Sequence, residues 1–331
     1  MFHFLNFLLN KIVYFFCTIR SDSIFLKLFS FFIFVSMEIY NPKEWFKAVF
    51  YVHKSDTLRK LTPYLFITAA FSYGVAYLEL EYFNLSAKHW VKNITVVHNL
   101  LGFALSLLLV FRTNTAYDRW WEARKQWGAL TNTSRNLALK MNALLPKDDK
   151  ANRHFYRKAI PMYSQSLYAF LRSDYSTFML DENEHPELGD AFSKKKHAPN
   201  QVASLLFKKT NILYQQGIIS GEQLLAVNNE LEGFTNICGA CERIKNTPIP
   251  HSYSTFLKKF IVFYVATLPM GYVFSLGYFV SLAVPFVFYV LASLELIAEA
   301  IEDPFGWDSD DLPIEKMAEN MKKHTHEVLL P

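Results

Sequence analysis

Two cysteines separated by two residues, Cys238 and Cys241, are the first candidates for chemistry in this chain. Such a pair can contribute half of a structural zinc site or form a redox-active disulfide. A structural zinc site normally has four ligands, and the sequence offers neither a second cysteine pair nor a nearby pair of histidines. The third cysteine, Cys17, completes no disulfide framework. We therefore interpret Cys238 and Cys241 as helix neighbours one turn apart, without metal or redox chemistry.

A dense acidic run near the C-terminus could hold a hard cation. Ca²⁺ takes about six to eight oxygen ligands, which carboxylates at this density can supply. Trp307 and Ser309 interrupt the run, and we favour the alternative of a folded turn that leads into a helix starting at Pro313. We expect no cofactor, and the calcium alternative would use Glu302, Asp303, Asp308, Asp310 and Asp311.

The sequence lacks the common catalytic motifs. It contains no glycine-rich phosphate loop, no His-Glu-x-x-His motif and no nucleophile elbow. Its histidines are scattered, and only His98 lies within an apolar stretch, where polar groups are costly and often functional. No basic block interleaved with aromatic residues occurs, and the formal net charge is only +4. We therefore expect neither an enzyme nor a nucleic-acid-binding protein.

Long uncharged stretches indicate a membrane protein. Only 19% of the residues are charged, and 17% are aromatic. Residues 61–78 and 94–111 are each long enough to cross about 30 Å of hydrocarbon at about 1.5 Å per residue. Residues 260–294 are too long for one span and fit two spans joined by a turn near Gly277. The sequence thus predicts four transmembrane helices.

Residues 112–252 carry most of the charge and predict a water-facing helical domain. Apolar residues recur at helical spacing, as in Trp120, Ala123 and Trp127, and no alternating strand pattern occurs. Residues 181–200 predict an exposed loop, and residues 201–245 predict two helices broken near 217–221. The predicted divisions are a low-complexity leader 1–36, then 37–111 with spans one and two, 112–252, 253–298 with spans three and four, and a C-terminal tail 299–331.

Basic residues predict the orientation. The loop between spans one and two, residues 79–93, contains Lys88 and Lys92 together with two glutamates. The positive-inside rule therefore places residues 112–252 and both termini in the cytoplasm of a multi-pass protein of the cell (inner) membrane. The basic residues that flank the other side of the spans are Arg59, Lys60, Arg112, Arg119, Lys258 and Lys259.

Three motifs carry a resemblance to a known family. They are LLGFALSLLLVFRTNTAYDRWWEARKQWGAL at 100–130, CERIKNTPIPHSYSTF at 241–256 and AIEDPFGWDSDDLP at 300–313. The Arg-Trp-Trp, Pro-Ile-Pro and Glu-Asp-Pro-Phe-Gly segments within them stand in the same order and at roughly the same spacing as in the bestrophin family. From about Met37 to about Leu330, the sequence resembles the bacterial branch of that family.

The resemblance implies an all-α homopentamer around one central pore. The second span of each subunit would line a narrow neck, and the cytosolic helical domain would enclose a vestibule that ends in a second constriction. The pore would pass small monovalent ions, chloride by family default, or monovalent cations such as sodium as in some bacterial relatives. A carrier or a non-conducting scaffold is the alternative of another class, although the internal repeats typical of carriers are not evident.

The neck residues follow from the resemblance rather than from periodicity. Phe103, Leu107 and Phe111 recur every four residues on one helix face, as in any apolar membrane helix. The position of the Arg-Trp-Trp triplet behind them marks them as the neck in the family. The same triplet, Arg119, Trp120 and Trp121, is expected to anchor the helix where it leaves the membrane.

The cytosolic constriction has three candidates. An ungapped count back from Cys238, which matches a cysteine in eukaryotic members, ends at Glu222, where an apolar residue is usual. Alignment gaps near the helix break would place the constriction at Ile218 or Ile219 instead. Glu222 would make a ring of carboxylates, unless it is only a surface residue. Eukaryotic members also bind calcium at the segment that corresponds to the acidic run, whereas bacterial relatives are generally considered independent of calcium.

Residues 1–36 form a low-complexity mix of Phe, Leu, Ile, Asn and Lys without a counterpart in the resemblance. We expect Met37 to be the natural start. A chain that begins at Met37 should therefore insert, assemble and conduct as the full chain does. Size-exclusion chromatography in detergent and bilayer recording measure this, and loss of assembly would show that residues 1–36 are a required element.

Overall fold

The structure is a computed structural model that describes residues 57–84, 93–173 and 196–330. The predicted leader 1–36, most of the loop 79–93 and residues 181–195 of the predicted exposed loop lie outside the described residues. The fold is all-helical, as expected, and the described ranges contain no β-strand.

Eight α-helices lie in the described ranges. In chain order they are α1 (Thr57–Tyr77, continued by a π-helical turn Leu78–Tyr82), α2 (Ile94–Leu144), α3 (Lys150–Leu171), α4 (Ala198–Gln215), α5 (Gly221–Asn246), α6 (His251–Leu276), α7 (Val280–Glu302) and α8 (Ile314–Val328). A short 3₁₀ turn, Gly277–Phe279, connects α6 and α7.

Helix α2 is longer than the sequence predicts. The sequence predicts that the second apolar stretch ends at Arg112, but the helix, 51 residues long in all, continues to Leu144. It contains no proline, and the charged residues that follow Phe111 are good helix formers. The change from apolar to charged residues therefore marks a change of surroundings and does not mark the end of the helix.

Three helical stretches within the described residues have the length and apolar composition needed to cross a bilayer: Thr57–Tyr82, Ile94–Leu144 and His251–Glu302. The third consists of α6 and α7, and α6 ends at Gly277, whose φ of 53° suits a residue without a side chain. This break lies at the predicted turn between spans three and four.

The chain divides into two compact units. The first comprises the chain up to Thr113 together with Pro250–Ile297, and the second comprises Asn114–Ile249 together with Ala298–Pro331. Helices α2 and α7 each contribute residues to both units. The core of the first unit consists of aliphatic and aromatic residues from α1, α2, α6 and α7, with Leu105, Leu109, Leu257, Ile261, Val265, Val284 and Phe288 among them.

Within the first unit, α2 and α6 run antiparallel. Near the start of α2, His98 Nε2 lies 2.9 Å from Thr267 Oγ1, in the second half of α6. Further along α2, the Leu108 carbonyl accepts a hydrogen bond of 3.0 Å from the Tyr253 hydroxyl, in the first turn of α6. Higher residue numbers in α2 thus meet lower ones in α6. Helix α7 returns towards this end, because Glu295 contacts Arg112.

The second unit has its own larger core around Trp127, Tyr163 and Phe234, all fully buried. The Tyr163 hydroxyl donates to the Phe234 carbonyl at 2.7 Å, and the two rings lie 4.6 Å apart, which ties α3 to α5. Helix α3 also packs against α4 and α8. Arg153 donates hydrogen bonds to the backbone oxygen of Asn142 in the last turn of α2 and to those of Leu145 and Pro146 directly after it.

Candidate functional site

Helix α2 presents an exposed apolar stripe in its first half. The predicted neck residues Phe103, Leu107 and Phe111 are 74%, 45% and 55% exposed in the single chain. The remainder of the stripe, at the same helical spacing, consists of Val96, Leu100 and Val110. Large apolar side chains exposed in a continuous row indicate a surface that meets lipid or another copy of the chain.

The opposite face of α2 is buried in the first unit through His98, Leu105, Leu109 and Arg112. The His98 ring bridges two helices, since Nδ1 lies 3.0 Å from the Ile94 carbonyl oxygen and Nε2 contacts Thr267. The histidine that the sequence marked as unusual thus joins α2 to α6. The buried face fixes the rotation of α2, and with it the direction in which the apolar stripe points.

Arg112 and Glu295 form a buried charged pair in the first unit. Their side chains are 1% and 4% exposed, and Arg112 Nε lies 3.4 Å from Glu295 Oε2. The sequence analysis placed Arg112 among the basic residues that flank the spans, without a partner inside the membrane unit. Removing one member of a buried pair leaves an uncompensated charge, so the two residues depend on each other.

The Arg119 guanidinium forms hydrogen bonds with the C-terminal ends of two helices in the second unit. It donates to the carbonyl oxygens of Ile244 (2.7 Å) and Thr247 at the end of α5, and of Glu302 (3.1 Å) at the end of α7. The last carbonyls of a helix have no partner within it, and a cation there is also favoured by the helix dipole. Arg119 therefore satisfies acceptors that the helices themselves leave open.

Residues of all three sequence motifs contact one another around Arg119. Trp120 Nε1 donates to the Asp310 carbonyl at 3.0 Å, and the Ile249 backbone N–H donates to Glu302 Oε1 at 2.8 Å. Arg119 adds the contacts to Thr247 and Glu302. We call the contacts among these six residues the motif junction. Trp121, the third member of the triplet, is 48% exposed. The resemblance identified the motifs, but only the structure shows that they contact one another.

The acidic run folds into a turn. Asp311 Oδ2 accepts the backbone N–H of Asp308 at 2.6 Å, Asp303 Oδ1 accepts that of Phe305 at 3.4 Å, and Glu302 is engaged by Ile249. Burial raises the pKa of Asp311 to about 7. Among the described residues, no three of the five carboxylates bring ligand atoms within 4.8 Å of one another. Helix α8 begins directly after this turn, with Pro313 as its N-cap.

The three candidates for the cytosolic constriction differ in exposure. Ile219 is only 2% exposed and belongs to the core of the second unit, and Ile218 is half-buried against that core. Glu222 is exposed in the first turn of α5, where a hydrogen bond of 2.7 Å from the Ser220 hydroxyl lowers its pKa. One turn later, Leu225 is 68% exposed, a large apolar side chain that the sequence analysis did not single out.

Cys238 and Cys241 are both buried free thiols. Burial raises the pKa of each to about 12. Beside Cys238, His197 and Glu242 each place a ligand atom within 4.8 Å of its sulfur and of each other. The sequence analysis found no nearby pair of histidines, and the single His197 comes close to Cys238 only in the folded chain.

Comparisons with known proteins agree with the sequence resemblance. The family described as bacterial/fungal bestrophin matches residues 37–327. A voltage-dependent anion channel-forming protein of Nostoc sp. is 35% identical over 67% of this chain and 74% of its own length. The voltage-dependent anion channel-forming protein YneE of Escherichia coli is 28% identical over 84% of this chain and 89% of its own length. A crystal structure of a bacterial bestrophin homolog from Klebsiella pneumoniae aligns with a TM-score of 0.70 at 25% identity, covering 80% of this chain and 97% of that chain.

Replacing Arg119 should test the motif junction. Arg119→Met keeps the length of the side chain but leaves three helix-end carbonyls without their donor, and should lower the free energy of unfolding by about 3 kcal/mol. Arg119→Lys should recover only part of this loss, because an ammonium lacks the planar fork. Thermal unfolding in detergent measures both. Arg124→Met, at an exposed position of the same helix, is the control, and an equal effect of both Met variants would contradict the anchoring role.

Proposed function

Because the chain belongs to the bacterial and fungal bestrophin family, we propose that it forms an ion channel that conducts small monovalent ions, with chloride and other anions as the main permeant class. The observation that carries the anion preference is the naming of its relatives as voltage-dependent anion channel-forming proteins. Those relatives are channels and not enzymes. The chain is a membrane protein, and we place it in the cell (inner) membrane with both termini in the cytoplasm.

The pore in this proposal belongs to a homopentamer with four membrane-spanning helices per subunit. These are α1, the apolar first half of α2, α6 and α7. The apolar stripe of α2 supports this arrangement, because Phe103, Leu107 and Phe111 lie exposed on one face while the other face is buried. Five copies around an axis would stack three apolar rings. A narrow apolar ring can lose its water and so close a pore without a moving plug.

The alternative within the channel class is a preference for monovalent cations such as sodium. It depends on Glu222, which is exposed and would place five carboxylates at the cytosolic exit. Such a ring attracts cations and repels anions. Leu225 offers an apolar side chain on nearly the same face of α5, one turn away. An exit lined by Leu225 would leave the choice of ion to other residues.

Single-channel recording of the purified protein in planar bilayers under asymmetric salt separates the candidate functions. A reversal potential near the chloride equilibrium value supports the anion channel, and one near the cation value supports the alternative. Saturable flux without unitary currents would indicate a carrier, and the absence of both a conductance and a flux would indicate a scaffold. Either of the last two outcomes would contradict the proposed function.

The neck assignment predicts the effect of smaller side chains. Replacing Phe103, Leu107 and Phe111 together by Ala should widen and wet the constriction, and unitary conductance or open probability should rise. Phe66→Ala is the matched control, since Phe66 on α1 is 73% exposed and is not a neck residue. If neither property changes in the triple variant, the stripe packs against lipid or other helices instead of the pore.

The cation alternative predicts a role for the charge of Glu222. Glu222→Ala should shift the reversal potential towards the chloride equilibrium value, because it removes five negative charges from the exit. In the unchanged protein, cation preference should weaken as cytosolic pH falls, since protonation neutralises the carboxylates. Glu232→Ala removes an exposed acidic residue elsewhere on α5 and is the control. An unchanged reversal potential in Glu222→Ala would make Glu222 a surface residue without a part in selectivity.

A further inference from the structure

Three metal-ligating side chains meet in the second unit at a place with no part in the proposed pore. They are His197, Cys238 and Glu242, whose ligand atoms all lie within 4.8 Å of one another. Cys238 and Glu242 are four residues apart on α5 and so share one face of that helix. His197 is the N-cap of α4 and comes from a different part of the chain. The cluster is thus assembled by packing α4 against α5.

The chemistry of the three donors selects the ion. An imidazole nitrogen, a thiol sulfur and a carboxylate oxygen together suit divalent transition metals, Zn²⁺ above all. Ca²⁺ and Mg²⁺ require oxygen ligands and fit this set poorly. We propose that His197, Cys238 and Glu242 form a Zn²⁺-binding site in which a water molecule supplies the fourth ligand.

The distances are compatible with a tetrahedral ion. Zinc–ligand distances of about 2.0 to 2.3 Å place neighbouring ligand atoms roughly 3.3 to 3.8 Å apart. His197 Nε2 and Glu242 Oε1 are closer than this, at 2.7 Å, because they now share a hydrogen bond. An ion would therefore move this nitrogen and oxygen apart by about 0.6 Å and draw the Cys238 sulfur inward.

The hydrogen bonds of His197 define how an ion would enter. Nδ1 accepts the backbone N–H of Asn200 at 3.2 Å, so Nε2 carries the ring proton and donates it to Glu242. An ion bound at Nε2 shifts that proton to Nδ1 and ends the cap of α4. The Cys238 thiol gives up its proton to solvent when the sulfur binds the metal. Metal binding and the helix cap are therefore mutually exclusive states of the same imidazole.

The surroundings allow access while holding the ligands in place. The side chains of His197 and Glu242 are 25% and 33% exposed, whereas Cys238 is buried. Solvent thus reaches the cluster from the side of the histidine and the carboxylate. The Phe170 ring lies 4.3 Å from the His197 ring. Such outer contacts orient metal ligands.

The alternative is a structural hydrogen bond between His197 and Glu242 with a cysteine beside it. Conservative variants distinguish the two. His197→Asn removes the imidazole but keeps a side chain that caps helices well. Glu242→Gln keeps an oxygen that can accept the His197 hydrogen bond but loses the charge. Cys241→Ser is the matched control for Cys238→Ser, because Cys241 is an equally buried thiol one turn away, outside the cluster.

The test uses the full-length chain, purified in detergent and stripped of metal, with Cys17→Ser in every variant so that only the two buried cysteines remain. Titration with Co²⁺ should produce a thiolate-to-cobalt charge-transfer band and the strong visible bands of four-coordinate cobalt. The signal should saturate at one ion per chain, and Zn²⁺ should abolish it. Cys238→Ser should remove the charge-transfer band, and Cys241→Ser should keep it. His197→Asn and Glu242→Gln should weaken binding at least about tenfold.

Two outcomes would overturn the site. One is the absence of a charge-transfer band in a protein whose circular dichroism shows the native helix content. The other is a band that survives Cys238→Ser or disappears equally in Cys241→Ser. If Cys238→Ser fails to fold, His197→Asn decides, since that variant preserves the cap and the buried cysteines: unchanged Co²⁺ affinity in it contradicts the proposal. Channel activity does not enter any of these measurements, so they stand apart from the proposed function.

Discussion

The hydrogen bonds of Arg119 to helix-end carbonyls are the interaction on which the second unit depends most. Helices α5 and α7 end with backbone oxygens that no residue of their own helix can satisfy. One guanidinium in the middle of α2 reaches both ends, at Ile244, Thr247 and Glu302. Glu302 in turn accepts the backbone N–H of Ile249. Three distant segments of the chain are thus held together by charge-assisted hydrogen bonds, which are stronger than neutral ones.

Helix α2 is one uninterrupted helix that contributes residues to both units. Within the first unit, its rotation is fixed by the buried contacts of His98 and by the Arg112–Glu295 pair. Because one face of α2 is held by these buried contacts, the direction of the opposite face is fixed as well. The apolar stripe with Phe103 and Leu107 must therefore face outward from the subunit, as a surface that requires lipid or neighbouring subunits.

Polar groups that the channel proposal does not use still have defined roles. The carboxylates of Glu302, Asp303 and Asp311 accept backbone N–H groups and shape the turn before α8. The cluster of His197, Cys238 and Glu242 differs from them, because it combines nitrogen, sulfur and oxygen donors on two helices and remains open to solvent. Its donor set, and not its acidity, is what points to a transition metal.

Composition and motif order alone determined the all-helical membrane class, the turn near Gly277, the break between α4 and α5, and the family. These features depend on local properties, namely apolar length, glycine and proline positions, and short ordered motifs. The partner of Arg112, the burial of Ile219 and the exposure of Leu225 were decided by tertiary structure. Tertiary structure also decided the proximity of His197 and Cys238. Each depends on which helices pack together, and contacts between residues far apart in a chain leave no periodic or compositional signal in a single sequence.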